Sequence, residues 1–424
     1  MWSRTRSVKV GTRPSSPIRS GAPAPCPPPP TWQDSGMTDD PLARLRDAAA
    51  RRAEAGLRRT LRPRAADHDG LADLASNDYL GLSRDPRLVA GAAAAAREWG
   101  TGSTGSRLVT GTTALHAELD RRLAAFTGSA AGLVFSSGFL ANLGAVTALS
   151  GPGTLVVSDQ VNHASIVDAC RLSRARVAIV PHRDPGAVER ALAERDEDHA
   201  IVVTDAVFSV DGDLAPLAEL HRAARAHGAL LVIDEAHALG VVGDGGRGAA
   251  HAAGLAGEPD VILTLTLSKS LAAQGGAVLG APEVVQALLD TGRSFIFDSG
   301  LNPPAAGAAL AALDVLEDDP GLPGRARATA RRMANLAAGS GLETADPAAA
   351  VVPVFLGEPG DAVRAAGICA EHGLRVGCFR PPSVPKGRAC LRLTARATVD
   401  ESDLTRLRTA LAEIARSTGR SLHA

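Results

Sequence analysis

The feature that most constrains the fold is a regular alternation, from about residue 130 onward, of short apolar segments with longer stretches rich in Ala, Leu and Arg. A helical stretch separates most of the apolar segments, and residues 216–227 are one example. Strands that alternate with helices predict an α/β fold with a mostly parallel sheet covered by helices. The predicted strands are Gly132–Phe135, Thr154–Val157, Val177–Val180, Ile201–Thr204, Leu230–Ile233, Val261–Leu265 and Ala277–Leu279.

Composition and charge exclude several other classes of protein. Hydrophobic residues make up 45% of the 424 residues and charged residues 21%, and the formal net charge is −1. This balance gives no basis for binding nucleic acid or a membrane surface, and no apolar run approaches the roughly 20 residues that span a bilayer. The five cysteines are scattered and form no CxxC pair, which predicts reduced thiols in a cytoplasmic protein and no metal site.

The first 36 residues differ in composition from the rest of the chain. They are rich in Arg, Ser and Pro, include the run Pro27–Pro30 and show no apolar periodicity, so we expect residues 1–36 to be disordered. One interpretation is an organelle transit peptide, and the other is an overlong gene start with Met37 as the true first residue. The proline run is not amphipathic, which favours the second interpretation.

Three further segments follow this extension. Residues 37–85 are predicted to form an N-terminal helical segment, because acidic residues precede Pro41 and apolar residues then recur at helical spacing as far as Pro63. Residues 86–300 contain the predicted strands and are expected to form a large domain. A loop rich in Gly, Asn and Pro then breaks the alternation, and residues 301–424 are expected to form a smaller C-terminal α/β domain.

Chemically active side chains follow three of the predicted strands. Asp234 comes directly after one strand, with His237 three residues later, and Lys269 follows the next strand. A third strand leads into Ser137-Gly138 and the start of a helical stretch. Ligands of open α/β sheets bind beyond the carboxyl ends of the strands, and a helix start binds anions through its backbone N–H groups.

This combination of groups matches the chemical needs of pyridoxal phosphate (PLP). A lysine amine bonds to the cofactor aldehyde, a carboxylate keeps the ring nitrogen protonated, and a helix start holds the phosphate. The chain contains only three lysines, Lys9, Lys269 and Lys386, although arginine is plentiful. The candidates for the cofactor lysine are therefore few, and Lys269 is the one that follows a strand.

Residues 266–275, with the sequence Thr-Leu-Ser-Lys-Ser-Leu-Ala-Ala-Gln-Gly, resemble the lysine signature of the class-II PLP-dependent aminotransferase-like enzymes. The resemblance extends from about residue 40 to the C-terminus and is nearest to the α-oxoamine synthases. It implies PLP-dependent transferase fold type I, like aspartate aminotransferase, and a homodimer with its active site at the subunit interface. The other matching blocks are residues 76–82, 102–107, 116–119, 205–213, 234–237, 380–385 and 391–394.

The resemblance also assigns the residues that hold the cofactor. Lys269 is expected to bond covalently to PLP and later to remove the Cα proton of the substrate. Asp234 is expected to pair with the ring nitrogen, His237 with the phenolic oxygen, and His163 to stack on the ring and act as an acid. The remaining cofactor contacts are expected from Gly138, Phe139, Ser209 and Thr266.

Substrate-binding residues come from the same resemblance. Arg392 corresponds to the arginine that holds the amino-acid carboxylate, a pairing that favours bidentate geometry. Arg58, His163 and Ser383 are expected to contact substrate, and Ser383 replaces a threonine while keeping its hydroxyl. Ala238 is another departure, since glycine or serine is more usual after the histidine.

The activity implied by the resemblance is the joining of an amino acid to an acyl thioester with loss of carbon dioxide. The Gly102–Arg107 block and the region of Arg58 are most similar to the branch that condenses L-alanine with a pimeloyl thioester, carried by coenzyme A or by acyl carrier protein. Glycine C-acetyltransferase, 5-aminolevulinate synthase and the sphingoid-base synthases are alternatives with the same mechanism. A non-catalytic partner subunit is a further alternative, but such subunits lack the cofactor lysine.

Overall fold

The computed structural model describes residues 40–55, 57–59, 61, 63–64 and 70–419. The chain divides into two units, Met1–Asp67 and His68–Ala424, and each is described by itself. The predicted disorder of residues 1–36 lies outside the described residues. In the first unit, helix α1 spans Ala43–Glu54 and buries none of its residues. The sequence predicted a helix reaching Pro63. The observed helix ends earlier, at Glu54, with Ala55 as its C-cap residue.

Strands and helices of the second unit follow in chain order. The strands are β1 (Ala72–Leu74), β2 (Ala131–Phe135), β3 (Thr154–Asp159), β4 (Arg176–Val180), β5 (His199–Asp205), β6 (Leu230–Asp234), β7 (Val261–Thr266), β8 (Gly276–Gly280), β9 (Glu343–Thr344), β10 (Val351–Gly357), β11 (Leu374–Phe379) and β12 (Ala389–Thr394). The helices are α2 (Pro86–Trp99), α3 (Ala114–Thr127), α4 (Gly138–Leu149), α5 (Ala164–Ser173), α6 (Pro185–Ala193), α7 (Leu217–Ala226), α8 (Ala249–Ala252), α9 (Pro282–Thr291), α10 (Arg293–Ile296), α11 (Pro303–Asp318), α12 (Leu322–Gly339), α13 (Pro359–Glu371) and α14 (Glu401–Ser417).

The larger sheet has seven strands in the order β2-β8-β7-β6-β5-β3-β4. All of the strands predicted from the alternating pattern are present in it, each within two residues of its expected ends. In the run β7-β6-β5-β3-β4, each strand is parallel to its neighbours. Strand β8 is antiparallel to both β7 and β2. The prediction of a mostly parallel sheet is therefore confirmed.

Helices cover both faces of this sheet. Leu231 and Ile233 of β6 pack in one apolar cluster with residues of α3, α6 and α7, whereas Val232 packs in a second cluster with residues of α4, α5 and α9. A parallel strand buried on both faces reads as a continuous apolar run, which is why these strands are visible in the sequence.

A smaller sheet has the order β1-β11-β12-β10-β9. Strand β1 is parallel to β11, and the other pairs are antiparallel. β1 lies within residues 37–85, which the sequence assigned to a helical segment, so that part of the assignment is wrong. Three residues are too few to show a strand period, and pairing with β11, about 300 residues away, determines their conformation.

No helix among the described residues is long and apolar enough to cross a membrane.

Candidate active site

The carboxyl ends of the central strands bring the predicted catalytic residues to one edge of the larger sheet. Asp205 at the end of β5 pairs in register with Asp234 at the end of β6, and Asp234 pairs with Thr264 of β7. Lys269 follows the end of β7 by three residues. The parallel pairing itself therefore places an amine and two carboxylates close together.

Lys269 is the centre of this group. Its Nζ lies 2.9 Å from Nε2 of His237. Burial lowers the pKa of the Lys269 amine to about 8, although the charge of Asp234 opposes the shift. Burial and the nearby charge of Lys269 also lower the pKa of His237, so this imidazole is neutral. A lysine with a lowered pKa is a better nucleophile near neutral pH because more of its amine is unprotonated.

A chain of hydrogen bonds connects Lys269 to Arg392. Tyr79 Oη lies 2.5 Å from Nδ1 of His237, and Arg392 donates to Tyr79 Oη at 3.4 Å. Both terminal nitrogens of Arg392 donate to Asn77 Oδ1 at 3.0 Å. Arg392 is only 5% exposed, and its Nε has no hydrogen-bond partner among the residues that the structure describes. A buried guanidinium with an unpaired donor suits a carboxylate ligand.

Asp234 is held by a second set of hydrogen bonds. Asn142 of α4 donates to Asp234 Oδ2 at 2.7 Å, and the backbone N–H of Ala236 donates to Oδ1 at 2.8 Å. The amide of Asn142 is itself fixed, because it accepts from the Thr264 hydroxyl and donates to that of Ser165. The Asp234 carboxylate therefore has a defined orientation.

His163 is connected to the same set. It is the residue before α5, and its Nδ1 lies 2.7 Å from the Ser165 hydroxyl. Its backbone N–H donates to Asp205 Oδ2 at 3.0 Å. Burial lowers the pKa of His163, whereas burial and the charge of Asp234 raise the pKa of Asp205. The raised pKa of Asp205 favours its protonated form beside Asp234, because two adjacent carboxyl groups resist holding two negative charges.

The start of α4 lies beside the end of β7 and the start of β8. Ser137 caps the helix by accepting the backbone N–H of Leu140 at 3.2 Å. A Cβ atom added to Gly138 would lie 2.9 Å from Cβ of Thr266, and one added to Gly276 would lie 2.5 Å from the Gly138 nitrogen. Glycine at both positions keeps backbone N–H groups and the Thr266 hydroxyl close together, as a phosphate requires.

A cavity of about 450 Å³ adjoins His163. Ser209, from the turn after β5, and Ser383, from the loop before β12, both line it. Its walls are largely apolar, with contributions from Phe208, Phe379 and Val384 among others.

The structure thus relates most of the predicted site residues to one another. Lys269 contacts His237, which connects to Arg392 through Tyr79, and Asp234 connects to His163 through Asn142 and Ser165. Gly138 and Thr266 approach each other closely, and the cavity is shared by His163, Ser209 and Ser383. Phe139 follows Gly138 and is 43% exposed. Arg58 is an exposed residue of the first unit, so its role stays a prediction.

Six residues of the site were not assigned from the sequence: Asn77, Tyr79, Asn142, Ser165, Asp205 and Thr264. Asn77 and Tyr79 lie in a block that matches the family, and Tyr79 is the only tyrosine of the chain. Asn142 is an isolated amide in a helix of otherwise mainly apolar residues, a pattern that marks a buried polar contact. Asp205 could have been found by its position at a strand end.

These features define a PLP-dependent enzyme of fold type I. They are the sheet covered by helices on both faces, the buried lysine, the oriented carboxylate and the glycine at the start of α4 beside Thr266. Comparisons with known proteins agree. The family model for aminotransferase class I and II matches residues 69–411. An 8-amino-7-oxononanoate synthase of Mycobacterium sp. (strain KMS) is 60% identical over 374 residues, which are 88% of this chain and 97% of the relative.

Solved structures show the same backbone fold. A serine palmitoyltransferase of S. paucimobilis with bound PLP and myriocin superposes with a TM-score of 0.83 at 27% identity, covering 89% of this chain and 98% of that one. An 8-amino-7-oxononanoate synthase of Francisella tularensis gives 0.71 at 25% identity, covering 83% and 99%. The chain belongs to the 8-amino-7-oxononanoate synthase family, within the α-oxoamine synthases.

Proposed function

We propose that the protein condenses L-alanine with a pimeloyl thioester to give 8-amino-7-oxononanoate, carbon dioxide and the free thiol carrier, a step of biotin biosynthesis. The observation that carries the proposal is the buried amine of Lys269, linked through His237 and Tyr79 to Arg392, in a chain 60% identical to synthases of that name. The carrier of the pimeloyl group is either coenzyme A or acyl carrier protein.

Pyridoxal phosphate fits the described residues. Lys269 would supply the amine, Asp234 would pair with the ring nitrogen, and Gly138, Phe139 and Thr266 would hold the phosphate. His237 and Ser209 would complete the contacts to the ring, and His163 would stack on it. When bound, PLP supplies an aldehyde that links to the amino acid and a ring that accepts the electrons left when a bond to Cα breaks.

The alanine side of the reaction depends on Arg392 and Lys269. Arg392 holds the alanine carboxylate through its unpaired Nε, with Asn77 and Tyr79 fixing the guanidinium. Orienting the carboxylate exposes the Cα–H bond to Lys269, whose lowered pKa allows the neutral amine to remove the proton. His237 keeps the Lys269 nitrogen in place.

The thioester side depends on His163, Ser209 and Ser383. The cavity that they share admits an acyl chain along its apolar wall. Burial lowers the pKa of His163, which makes its protonated ring a stronger acid, and the contact with Ser165 fixes the ring orientation. The protonated ring can therefore pass a proton to the acyl oxygen during condensation or decarboxylation. Arg58 is proposed to contact the acyl substrate from the N-terminal segment.

The main alternative to this function is the same reaction with a different acyl or amino-acid substrate. The TM-score with serine palmitoyltransferase is higher than with the Francisella synthase, but a TM-score reports the path of the backbone rather than the chemistry of the site. The 60% sequence identity includes the side chains and decides for the pimeloyl branch. A non-catalytic partner subunit is disfavoured by the position of Lys269.

Purified protein supplied with alanine, glycine or serine against pimeloyl and acetyl thioesters tests this function. We expect product only, or much the fastest, with alanine and pimeloyl thioester, and presenting the pimeloyl group on coenzyme A and on acyl carrier protein identifies the carrier. Preferred turnover of glycine with acetyl thioester would overturn the assignment.

We further propose that the protein is a cytoplasmic homodimer with the active site at the subunit interface, and that residues 37–85, 86–300 and 301–424 are its domains. Four cysteines of the described residues are free thiols, which supports a reducing location.

A further inference from the structure

His182 lies outside the residues that hold cofactor or alanine, yet both of its ring nitrogens are bound to carboxylates. Nδ1 lies 3.0 Å from Asp159 Oδ1, and Nε2 lies 2.9 Å from Asp213 Oδ2. The ring also packs edge-on against Phe208, with centroids 4.3 Å apart. A histidine between two carboxylates must donate from both nitrogens, which requires the charged imidazolium.

The two carboxylates belong to the two segments that form one side of the thioester cavity. Asp159 is the last residue of β3, and its side chain also accepts the backbone N–H of Val161 at 2.8 Å, in the loop that leads to His163. Asp213 closes the turn that carries Ser209, because its carbonyl accepts the backbone N–H of Phe208 at 3.0 Å.

We infer that His182 is a positioning residue that clamps the loop carrying His163 to the turn carrying Ser209, so that both face the acyl thioester in one cavity. This inference rests on the proposed function, since it assigns the cavity to the thioester. His182, Phe208 and Asp213 line that cavity together with His163 and Ser209. The edge-on contact between Phe208 and His182 joins the same turn to the clamp.

The electrostatics agree with this geometry. Burial lowers the pKa of His182, but the hydrogen bonds that its ring donates to Asp159 and Asp213 outweigh burial and raise the pKa to about 9. The clamp is therefore complete below the ordinary value of about 6.5 and is lost as pH rises through about 9. The charged groups that face His182 or share its cavity are Asp159, Asp213, Arg183, Asp211 and Arg388.

The test compares the holoenzyme of His182→Gln with that of His221→Gln. His221 is a matched control, because it is a buried histidine paired with Asp260 at 3.1 Å just before the amino end of β7, away from the cavity. We expect His182→Gln to lower kcat/KM for the thioester about 10- to 100-fold, as small misplacements in active sites do. Cofactor absorbance and the alanine titration should stay at wild-type levels, and His221→Gln should change none of the three.

Two measurements are independent of turnover. Amide hydrogen exchange in residues 159–164 and 206–215 should be faster in His182→Gln than in His221→Gln. Histidine NMR should show His182 still protonated at pH 8 in the unmodified protein. If the unmodified protein fails to convert alanine and pimeloyl thioester, the proposed function fails, while these two results still decide the clamp.

Two results would overturn the inference. One is an unchanged kcat/KM for the thioester in folded His182→Gln, and the other is an equal loss of cofactor absorbance, alanine binding and kcat/KM for the thioester. If His182→Gln does not fold, Asp213→Asn replaces it. Asp213 contacts His182 and Arg183 through Oδ2, whereas Asp159 contacts the other ring nitrogen of His182, so this substitution removes only the Asp213 half of the clamp. Asp213→Asn must then lower kcat/KM for the thioester by itself, and an unchanged kcat/KM would contradict the clamp.

Discussion

The two sides of Lys269 are built differently. On the alanine side, an unbroken chain of hydrogen bonds from Lys269 through His237 and Tyr79 ends at a buried guanidinium. On the other side, His163 adjoins a cavity of about 450 Å³ with mostly apolar walls. A small amino acid is recognised by fixed charges, whereas a long acyl chain needs space and apolar surface. Substitutions on the two sides should therefore fail in different ways.

The largest effect should come from the residue common to both sides. Lys269→Ala should abolish multiple turnover and the absorbance of the lysine-bound cofactor, because the exposed Lys386 is the only other lysine among the described residues. Product formation and the visible spectrum measure both effects. Lys386→Ala is the matched control and should behave as the unmodified enzyme. Sustained turnover by Lys269→Ala would exclude this lysine as the base.

Asp234→Asn should retain cofactor and lose most of the rate, roughly 100-fold or more, as expected when a preorganised charge is removed. Asn142 can still donate to the new amide oxygen, so the fold of the site should persist. Exchange of the alanine Cα proton with solvent isolates proton removal from the thioester side. Near-normal exchange would contradict the role of Asp234.

Arg392→Ala and Arg58→Ala should separate the two sides directly. Loss of Arg392 removes a charge-assisted pair that contributes about 1.5–3 kcal/mol. The alanine concentration needed for half-saturation should therefore rise about 10- to 150-fold, even without thioester. Arg392→Lys should restore only part of the alanine affinity, since the lysine ammonium lacks the planar guanidinium that binds a carboxylate through two parallel hydrogen bonds.

Arg58→Ala should instead leave alanine binding intact and raise the requirement for pimeloyl thioester. Spectroscopic titration with alanine, followed by thioester variation at saturating alanine, distinguishes the two. Weaker alanine binding in Arg58→Ala would contradict the proposal that the N-terminal segment contacts the acyl substrate.

Tyr79→Phe should have a smaller effect on the alanine side alone. It removes the hydroxyl shared by His237 and Arg392, and a neutral hydrogen bond contributes about 0.5–1.5 kcal/mol. The alanine requirement should rise about 2- to 10-fold while the thioester requirement stays constant. Equal changes in both would mean that the two sides are not independent.

Deletion of residues 1–36 should affect neither side. The segment has no apolar face in its sequence with which to pack, so melting temperature and both substrate requirements should be unchanged. A lower melting temperature in the truncated protein would assign the segment a structural role.

The same contrast explains which parts of the site the sequence could predict. Asp234 ends an apolar strand, and Lys269 and the helix start at Gly138 each follow one by three residues, so local pattern and resemblance locate them together. Asn77 and Tyr79 follow the three-residue β1, whose strand character the local pattern does not show. Their place beside Arg392 depends on how β1 and β12 both pair with β11.

The sequence alone determined the strands of the larger sheet and the residues at their ends, because strands buried on both faces must be apolar along their whole length. Only the tertiary structure decided which distant side chains meet. Arg392 and Asn77 are 315 residues apart, and Tyr79 and His237 are 158 residues apart. The clamp of His182 on Asp159 and Asp213 is a contact of the same kind. Local periodicity carries no information about such pairs, since they form only when separate strands align in register.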